Sequence, residues 1–304
     1  MTDGFLTLRD YFRFAVSRFN AAGLAYGHGT TNALDEAAFL VLEALHLPVD
    51  QLEPFLDARL TAPERSRLAE LIEARITTRT PAPYLLGKAY IQGIPFIVDE
   101  RVLIPRSFIG ELLVSDQLVG GEAGLIADAE SVESVLDLCT GSGCLAIMAA
   151  MVFPNAKVDG VDLSTGALEV AQKNIDLHEM QGRVSLHKGD LFAPLKGRRY
   201  DLIITNPPYV DADAMAALPP EYRHEPNMAL AAGEDGLDIV HRIIAAAPDH
   251  LTKGGGLLCE IGTGRARLEV ARPDLDFYWV DTEESSGEVF WLAAPQLKRS
   301  RRKS

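Results

Sequence analysis

Up to about residue 80 the apolar positions recur three and four apart, the spacing of helices that bury one face. Asn32 precedes Leu34, Ala37, Ala38, Val41, Leu42 and Leu45, a stripe with a ready N-cap. Thr61-Ala62-Pro63-Glu64 has capping-box spacing with proline in the first turn, and Leu68, Leu71, Ile72 and Ile76 extend it as a second stripe. Such stripes predict the core of a small helical bundle rather than a ligand site. Pro81 and Pro83 are expected to end the helical pattern. Ile91, Gly93, Pro95 and the run from Phe96 to Leu103 then predict a β-hairpin, with a further helix over Ile109 to Val119 behind Pro105-Arg106-Ser107.

Past about residue 130, short apolar runs alternate with helical stripes. Strands are predicted at Val135 to Cys139, Lys157 to Leu163, Arg183 to His187, Tyr200 to Thr205, Gly256 to Ile261, Phe277 to Asp281 and Glu288 to Leu292. Helices are predicted over Cys144 to Phe153, from the N-cap Ser164 onward, and over Leu237 to Leu251. This alternation implies an α/β fold, a mostly parallel sheet with helices on both faces and an antiparallel finish. The chain divides into a helical domain at 1–88, a hairpin linker at 89–105, the α/β domain at 106–297 and a tail at 298–304. The tail holds Lys298, Arg299, Arg301, Arg302 and Lys303 and reads as disordered and solvated.

Composition narrows the function classes. A formal net charge of −14 opposes broad attraction to nucleic acid and suits a basic partner, although acidic balance is also an ordinary solubility device. Cys139, Cys144 and Cys259 lack metal-ligand spacing and read as free thiols in a reducing cytoplasm. The first ten residues carry Asp3, Arg9 and Asp10 without an apolar core, unlike a signal peptide. The apolar run from Leu145 to Phe153 is too short to span a bilayer. His178, His187, His224, His241 and His250 show no ligand spacing, so no metal is expected. His28, between two glycines, reads as a structural cap or a substrate contact.

In a doubly wound sheet, ligands lie beyond the carboxyl ends of the strands. There the first strand runs into Asp137-Leu138-Cys139-Thr140-Gly141-Ser142-Gly143, whose glycines permit a tight turn and close approach of a ligand. Asp162 ends the second strand about 20 residues on, where an acidic side chain can accept from ribose hydroxyls. Gly141-x-Gly143-x-x-Ala146 also matches a dinucleotide fingerprint. Asp137 favours the other reading: a carboxylate before the loop repels a pyrophosphate but suits the sulfonium and ammonium of S-adenosylmethionine. Asp190, with Leu191 beside it, can meet the exocyclic amine and ring of adenine.

The most specific signal is Asn206-Pro207-Pro208-Tyr209, directly after the fourth strand. Its prolines fix φ and remove two backbone donors, leaving carbonyls free to accept. Asn206 adds a side-chain acceptor, and two acceptors facing one NH2 group hold both hydrogens and aim the nitrogen lone pair out of plane. Tyr209 offers a face to clamp a planar group. Such a site suits a poorly nucleophilic amide or amine nitrogen, where orientation toward an activated donor does most of the work.

With this tetrapeptide the chain resembles class I, Rossmann-like, seven-stranded methyltransferases that act on amino groups, among them adenine-N6, cytosine-N4 and protein-(glutamine-N5) enzymes. Pro105-Arg106-Ser107-Phe108-Ile109-Gly110-Glu111-Leu112 resembles the glutamine branch that modifies the third protein of the large ribosomal subunit, as do Tyr26-Gly27-His28-Gly29-Thr30-Thr31-Asn32 and Asp35-Glu36-Ala37. It departs from that branch at Phe108, commonly a proline, and at Leu191, often aromatic in relatives. The resemblance implies that Asp137 and the loop Cys139, Thr140, Gly141, Ser142 and Gly143 bind the methionine half of S-adenosylmethionine. It gives Asp162 the ribose, Asp190 and Leu191 the adenine, and Asn206 a further contact with the donor. Asn206, Pro207, Pro208, Tyr209 and Arg106 would hold the substrate glutamine, with Asn206, Pro207 and Tyr209 catalytic. S-adenosylhomocysteine would be the product. The implied partner is a basic ribosomal protein, free or in an assembling ribosome, recognised by the helical domain, with no membrane and no sequence-specific nucleic acid. The alternatives are glutamine methylation of a peptide-chain release factor, adenine methylation of nucleic acid, a non-catalytic binder of the donor, and an NAD-dependent dehydrogenase.

Overall fold

The computed structural model describes residues 4–300 except 122, 123 and 284. Four helices open the chain: α1 (Leu8–Ala22), α2 (Ala33–Ala44), α3 (Ala62–Thr78) and α4 (Ala82–Leu86). Asn32 caps α2 through Leu34 N–H and Asp35 N–H, and Glu64 reaches back to accept from Thr61 N–H at 2.7 Å. Leu8, Tyr11, Ala15 and Phe19 form one buried face of α1 and pack with Leu40 and Val41 of α2 and with Leu68 and Ile72 of α3. Pro81 and Pro83 do not end the helical pattern. Pro83 lies in the first turn of α4, where its lack of an N–H is harmless.

β1 (Lys88–Ile91) and β2 (Ile94–Ile97) form an antiparallel hairpin. Its two turn residues, Gln92 and Gly93, have φ of 49° and 74°, as a tight hairpin of this hand requires. The predicted strand run to Leu103 breaks at Ile97. Asp99 instead accepts from the Arg101 backbone and side chain in a local turn. The hairpin is pinned by Asn174, which is fully buried: it accepts from Ile97 N–H and donates to Ile97 O and Ser142 O.

The remaining elements are α5 (Phe108–Leu113), β3 (Ser134–Leu138), α6 (Cys144–Val152), β4 (Lys157–Asp162), α7 (Thr165–Leu177), β5 (Val184–Lys188), β6 (Tyr200–Thr205), α8 (Ala212–Ala217), α9 (Asn227–Leu230), α10 (Asp238–His250), β7 (Leu251–Glu260), α11 (Arg265–Ala271), β8 (Tyr278–Val280), β9 (Val289–Ala293) and α12 (Ala294–Ser300). The seven-stranded sheet has the order β5-β4-β3-β6-β7-β9-β8, parallel except where β9 pairs antiparallel with β7 and β8. Alternation along each strand feeds two cores. Leu202 and Ile204 pack with Ile147 and Met148 on one face, and Ile203 packs with Val240 and Ile244 on the other.

α5 is shorter than its apolar pattern predicts. The Ser115 hydroxyl donates to Leu112 O at 2.9 Å and competes with the helical ladder there. β7 begins at Leu251 instead of Gly256, because a bulge between the pairs Tyr200–Leu251 and Leu202–Gly256 absorbs the glycines. At the C-terminus α12 extends through Lys298 to Ser300, so the start of the predicted disordered tail is helical; residues 301–304 lie outside the described residues.

Candidate active site

The sheet order reverses between β3 and β6: β4 lies on one side of β3 and β6 on the other. A crevice opens at such a switch point, beyond the strand ends. Leu138 pairs with Thr205 and Thr205 with Cys259, so Cys139, Asn206 and Glu260 follow at one edge of the sheet.

The turn after β3 needs three left-handed residues in close succession, Cys139, Gly141 and Gly143, at φ 59°, 55° and 78°. A Cβ on Gly143 would also come within 3.1 Å of Ala171 Cβ, so helices α6 and α7 close around a bare backbone. Asp137 stands beneath this turn and not on the cavity wall. Its Oδ2 accepts from Thr140 Oγ1 at 2.6 Å and Ala146 N–H at 3.1 Å, while Oδ1 has no partner. Burial pushes the Asp137 carboxyl up to about 7, against the pull of those two bonds. Those two bonds brace the loop. Asp162 accepts from Gly141 N–H at 2.9 Å and from Ser164 N–H at 2.8 Å, which ties the ends of β3 and β4 together; burial raises its pKa despite those bonds.

A cavity follows these strand ends. Of the residues singled out by sequence, Cys139, Gly141, Asp162, Asp190, Leu191, Asn206 and Pro208 line it. Thr140, Ser142, Gly143, Pro207, Tyr209 and Arg106, like Asp137, do not. Asp190 meets Arg242 at 2.6 Å across the rim. The Asn206 side chain lines the cavity and makes no hydrogen bond to another described residue. The Tyr209 ring instead lies over Gly262, where a Cβ would come within 2.7 Å of it. Its hydroxyl donates to Glu260 Oε1 at 3.2 Å, and burial together with the Glu260 carboxylate raises the phenol pKa. Arg106 is engaged by Glu225 through two hydrogen bonds.

Sequence reading missed the wall opposite the strand ends. Val210 N–H donates to Leu230 O, and Ala232 N–H donates back to Val210 O, closing the base of an excursion that contains α8, a 3-10 turn at Pro220–His224 and α9. Pro226, Met228 and Ala229 of this excursion line the cavity. Its Glu221 accepts from Ala25 N–H and Arg79 in the helical bundle, and its Glu225 from Ile104 N–H in the linker and from Arg106 just behind it. The prolines of this stretch interrupt any apolar period, so no pattern announced it. Leu163 was within reach of sequence reasoning, as an apolar residue directly behind Asp162; it lines the cavity and stays 56% exposed. Glu260, a lone carboxylate ending an apolar strand, gave a similar signal. His28 is buried at the same seam, its ring 4.3 Å from that of Tyr222 and Nε2 3.6 Å from Glu225 Oε2.

A model of the methyltransferase small domain matches residues 123–218, the stretch that builds most of the strand-end loops. The ribosomal protein uL3 glutamine methyltransferase of Bradyrhizobium diazoefficiens is 61% identical over 293 residues, covering 96% of this chain and 92% of that protein. Proteins of the same description from Bordetella pertussis and Neisseria gonorrhoeae are 54% and 50% identical over 291 residues; 96% of this chain and 96% and 95% of theirs are covered. With such identity over 96% of its length, the chain belongs to the family of ribosomal protein uL3 glutamine methyltransferases.

Proposed function

We propose that this protein transfers a methyl group from S-adenosylmethionine to the side-chain amide nitrogen of a glutamine in ribosomal protein uL3, and does so in the cytoplasm. The observation that carries this reading is the unengaged Asn206 amide on the wall of a cavity whose other walls hold Asp162, Asp190 and Leu191. The chemistry of the lining fits the donor: acceptor carboxylates for hydroxyls and an amine, apolar side chains for a ring, and close backbone approach at Gly141.

Asp162 would hold the ribose, Asp190 and Leu191 the adenine, and the Cys139–Gly143 turn the methionine half. When bound, the donor supplies an electrophilic methyl group on a sulfonium. The side-chain oxygen of Asn206 and the carbonyl of Pro207 would accept the two hydrogens of the substrate NH2 and hold its lone pair out of plane. One of those hydrogens leaves as a proton once the new N–C bond has formed, so no strong base is needed beforehand. A net charge of −14 favours encounter with a basic protein.

The test is incubation of the purified chain with methyl-labelled donor and ribosomal proteins from cells lacking the enzyme, with mapping of the label. Label on one glutamine of uL3, lost in Asn206→Ala, is the expected result. Label on a release factor would overturn the substrate, and label on nucleic acid or nowhere would overturn the reaction.

A further inference from the structure

Glu260 is the last residue of β7 and is 1% exposed. A carboxylate in that position is costly unless donors surround it. Here three converge on it: Ser107 Oγ and Phe108 N–H donate to Oε2 at 2.6 and 2.9 Å, and Tyr209 Oη donates to Oε1 at 3.2 Å. Those donors come from two places far apart in sequence. Ser107 and Phe108 form the turn that opens α5, where the Ser107 hydroxyl also accepts from Ile109 N–H. Tyr209 closes the Asn206-Pro207-Pro208-Tyr209 segment and is pressed on its ring side by Gly262.

We propose that Glu260 is a positioning residue for methyl transfer, which fixes Tyr209 and the Ser107–Phe108 turn to one rigid point of the sheet so that the acceptor segment keeps a single geometry. The inference rests on the reading that Asn206 and Pro207 hold the acceptor, with Tyr209 at the far end of the same segment. An apolar residue would fill the same space with no desolvation cost, yet would leave the Tyr209 hydroxyl and Phe108 N–H without an acceptor. A carboxylate suits this junction because it has only acceptors. Glutamine in its place can keep the Oε2 bonds, but it presents an NH2 group to Tyr209 and reverses that contact. Glu260 also sits one residue beyond Cys259, whose partner in β6 is Thr205, the residue before Asn206. The carboxylate therefore connects the acceptor segment from its side-chain end while strand pairing holds it from its backbone end.

The experiment compares wild type, Glu260→Gln, Tyr209→Phe and the double variant by steady-state methylation of uL3, with donor affinity from calorimetry and melting temperature from circular dichroism. Displacement of an acceptor on the ångström scale lowers kcat by roughly ten- to a hundredfold. The expected result is a fall of that size in each single variant, no further fall in the double variant, and donor affinity and melting temperature close to wild type. Multiplying effects in the double variant would overturn the proposal, as would wild-type kcat in Glu260→Gln. A parallel loss of donor binding would reduce Glu260 to a folding role and equally overturn it. Should Glu260→Gln fail to fold, Tyr209→Phe removes the same bond from the other side, and wild-type kcat there is decisive against the proposal. Absence of uL3 methylation by the wild type would instead remove the functional reading on which the proposal stands.

Discussion

Arg106 and Glu225 face each other through two parallel hydrogen bonds, Nη1 to Oε1 at 2.6 Å and Nη2 to Oε2 at 2.7 Å, with the carboxylate wholly buried. The pair joins the segment just behind the linker to the excursion that walls the cavity, and Ile104 N–H of the linker adds a third donor, to Oε1. A planar fork matched to a carboxylate explains why arginine and not lysine stands there. Arg106→Ala should destabilise the fold by about 3 kcal/mol, since it strands a buried charge, and Arg106→Lys should recover only part of that loss. Denaturant titration of the two variants checks both statements; an Arg106→Ala midpoint equal to wild type would refute them.

Two buried carboxylates respond to pH with opposite signs. Burial works to raise the Glu225 pKa, but His28 and Arg106 beside it hold it down at about 2, below its ordinary value of 4.5. Its contribution to stability is thus present above about pH 4.5 and lost as pH falls toward 2. Asp137 has the opposite sign. With its folded pKa pushed up to about 7, it contributes stability below about pH 4 that is lost as pH rises through 7. Asp137→Asn lacks this component, so its melting temperature relative to wild type should climb between about pH 4 and 7 and level off above that. A constant gap across that range would contradict the assignment.

Asn174 binds the hairpin to the glycine turn after β3 with three hydrogen bonds from one buried amide. Asn174→Ala leaves Ile97 N–H and two carbonyls without their partner and should cost about 2 kcal/mol. Because one of those carbonyls belongs to Ser142, donor affinity should fall as well. Calorimetry with the donor and a melting curve measure the two effects; donor affinity unchanged in the destabilised variant would detach the hairpin from the site.

Leu163 separates binding from folding. It lines the cavity but is 56% exposed, so truncation removes ligand contact while little core is lost. Leu163→Ala should weaken the donor by about fivefold, or ~1 kcal/mol, and leave stability within about 0.5 kcal/mol. Equal losses in both measurements would place Leu163 in the core instead.

Much of this architecture was legible because its signals are local. Asn32, Ser164 and the Thr61–Glu64 pair cap their helices through bonds that span two or three residues. The strand–helix alternation, the glycine turn and Asn206-Pro207-Pro208-Tyr209 are likewise read within a few positions, since backbone dihedrals and periodicity are properties of short segments. They were enough to announce the sheet and the strand ends beyond which the cavity lies.

Partnership between distant side chains was not legible. A lone aspartate before a glycine loop looks the same whether it faces a ligand or, like Asp137, supports the loop from below. Nothing near Arg106 indicates Glu225, and nothing near Tyr209 indicates Glu260. Nor could periodicity reveal the proline-rich excursion carrying Pro226 and Met228, which takes its shape from Glu221 and Glu225 gripping the helical bundle and the linker. Sequence determined which segments are helices and strands and where the glycine turn and the Asn206-Pro207-Pro208-Tyr209 segment follow their strands, because those depend on neighbours in the chain. The tertiary structure decided which carboxylates face the cavity and which are held by an arginine, a hydroxyl or a backbone N–H, because desolvation and hydrogen bonding depend on whatever folding brings within about 3 Å.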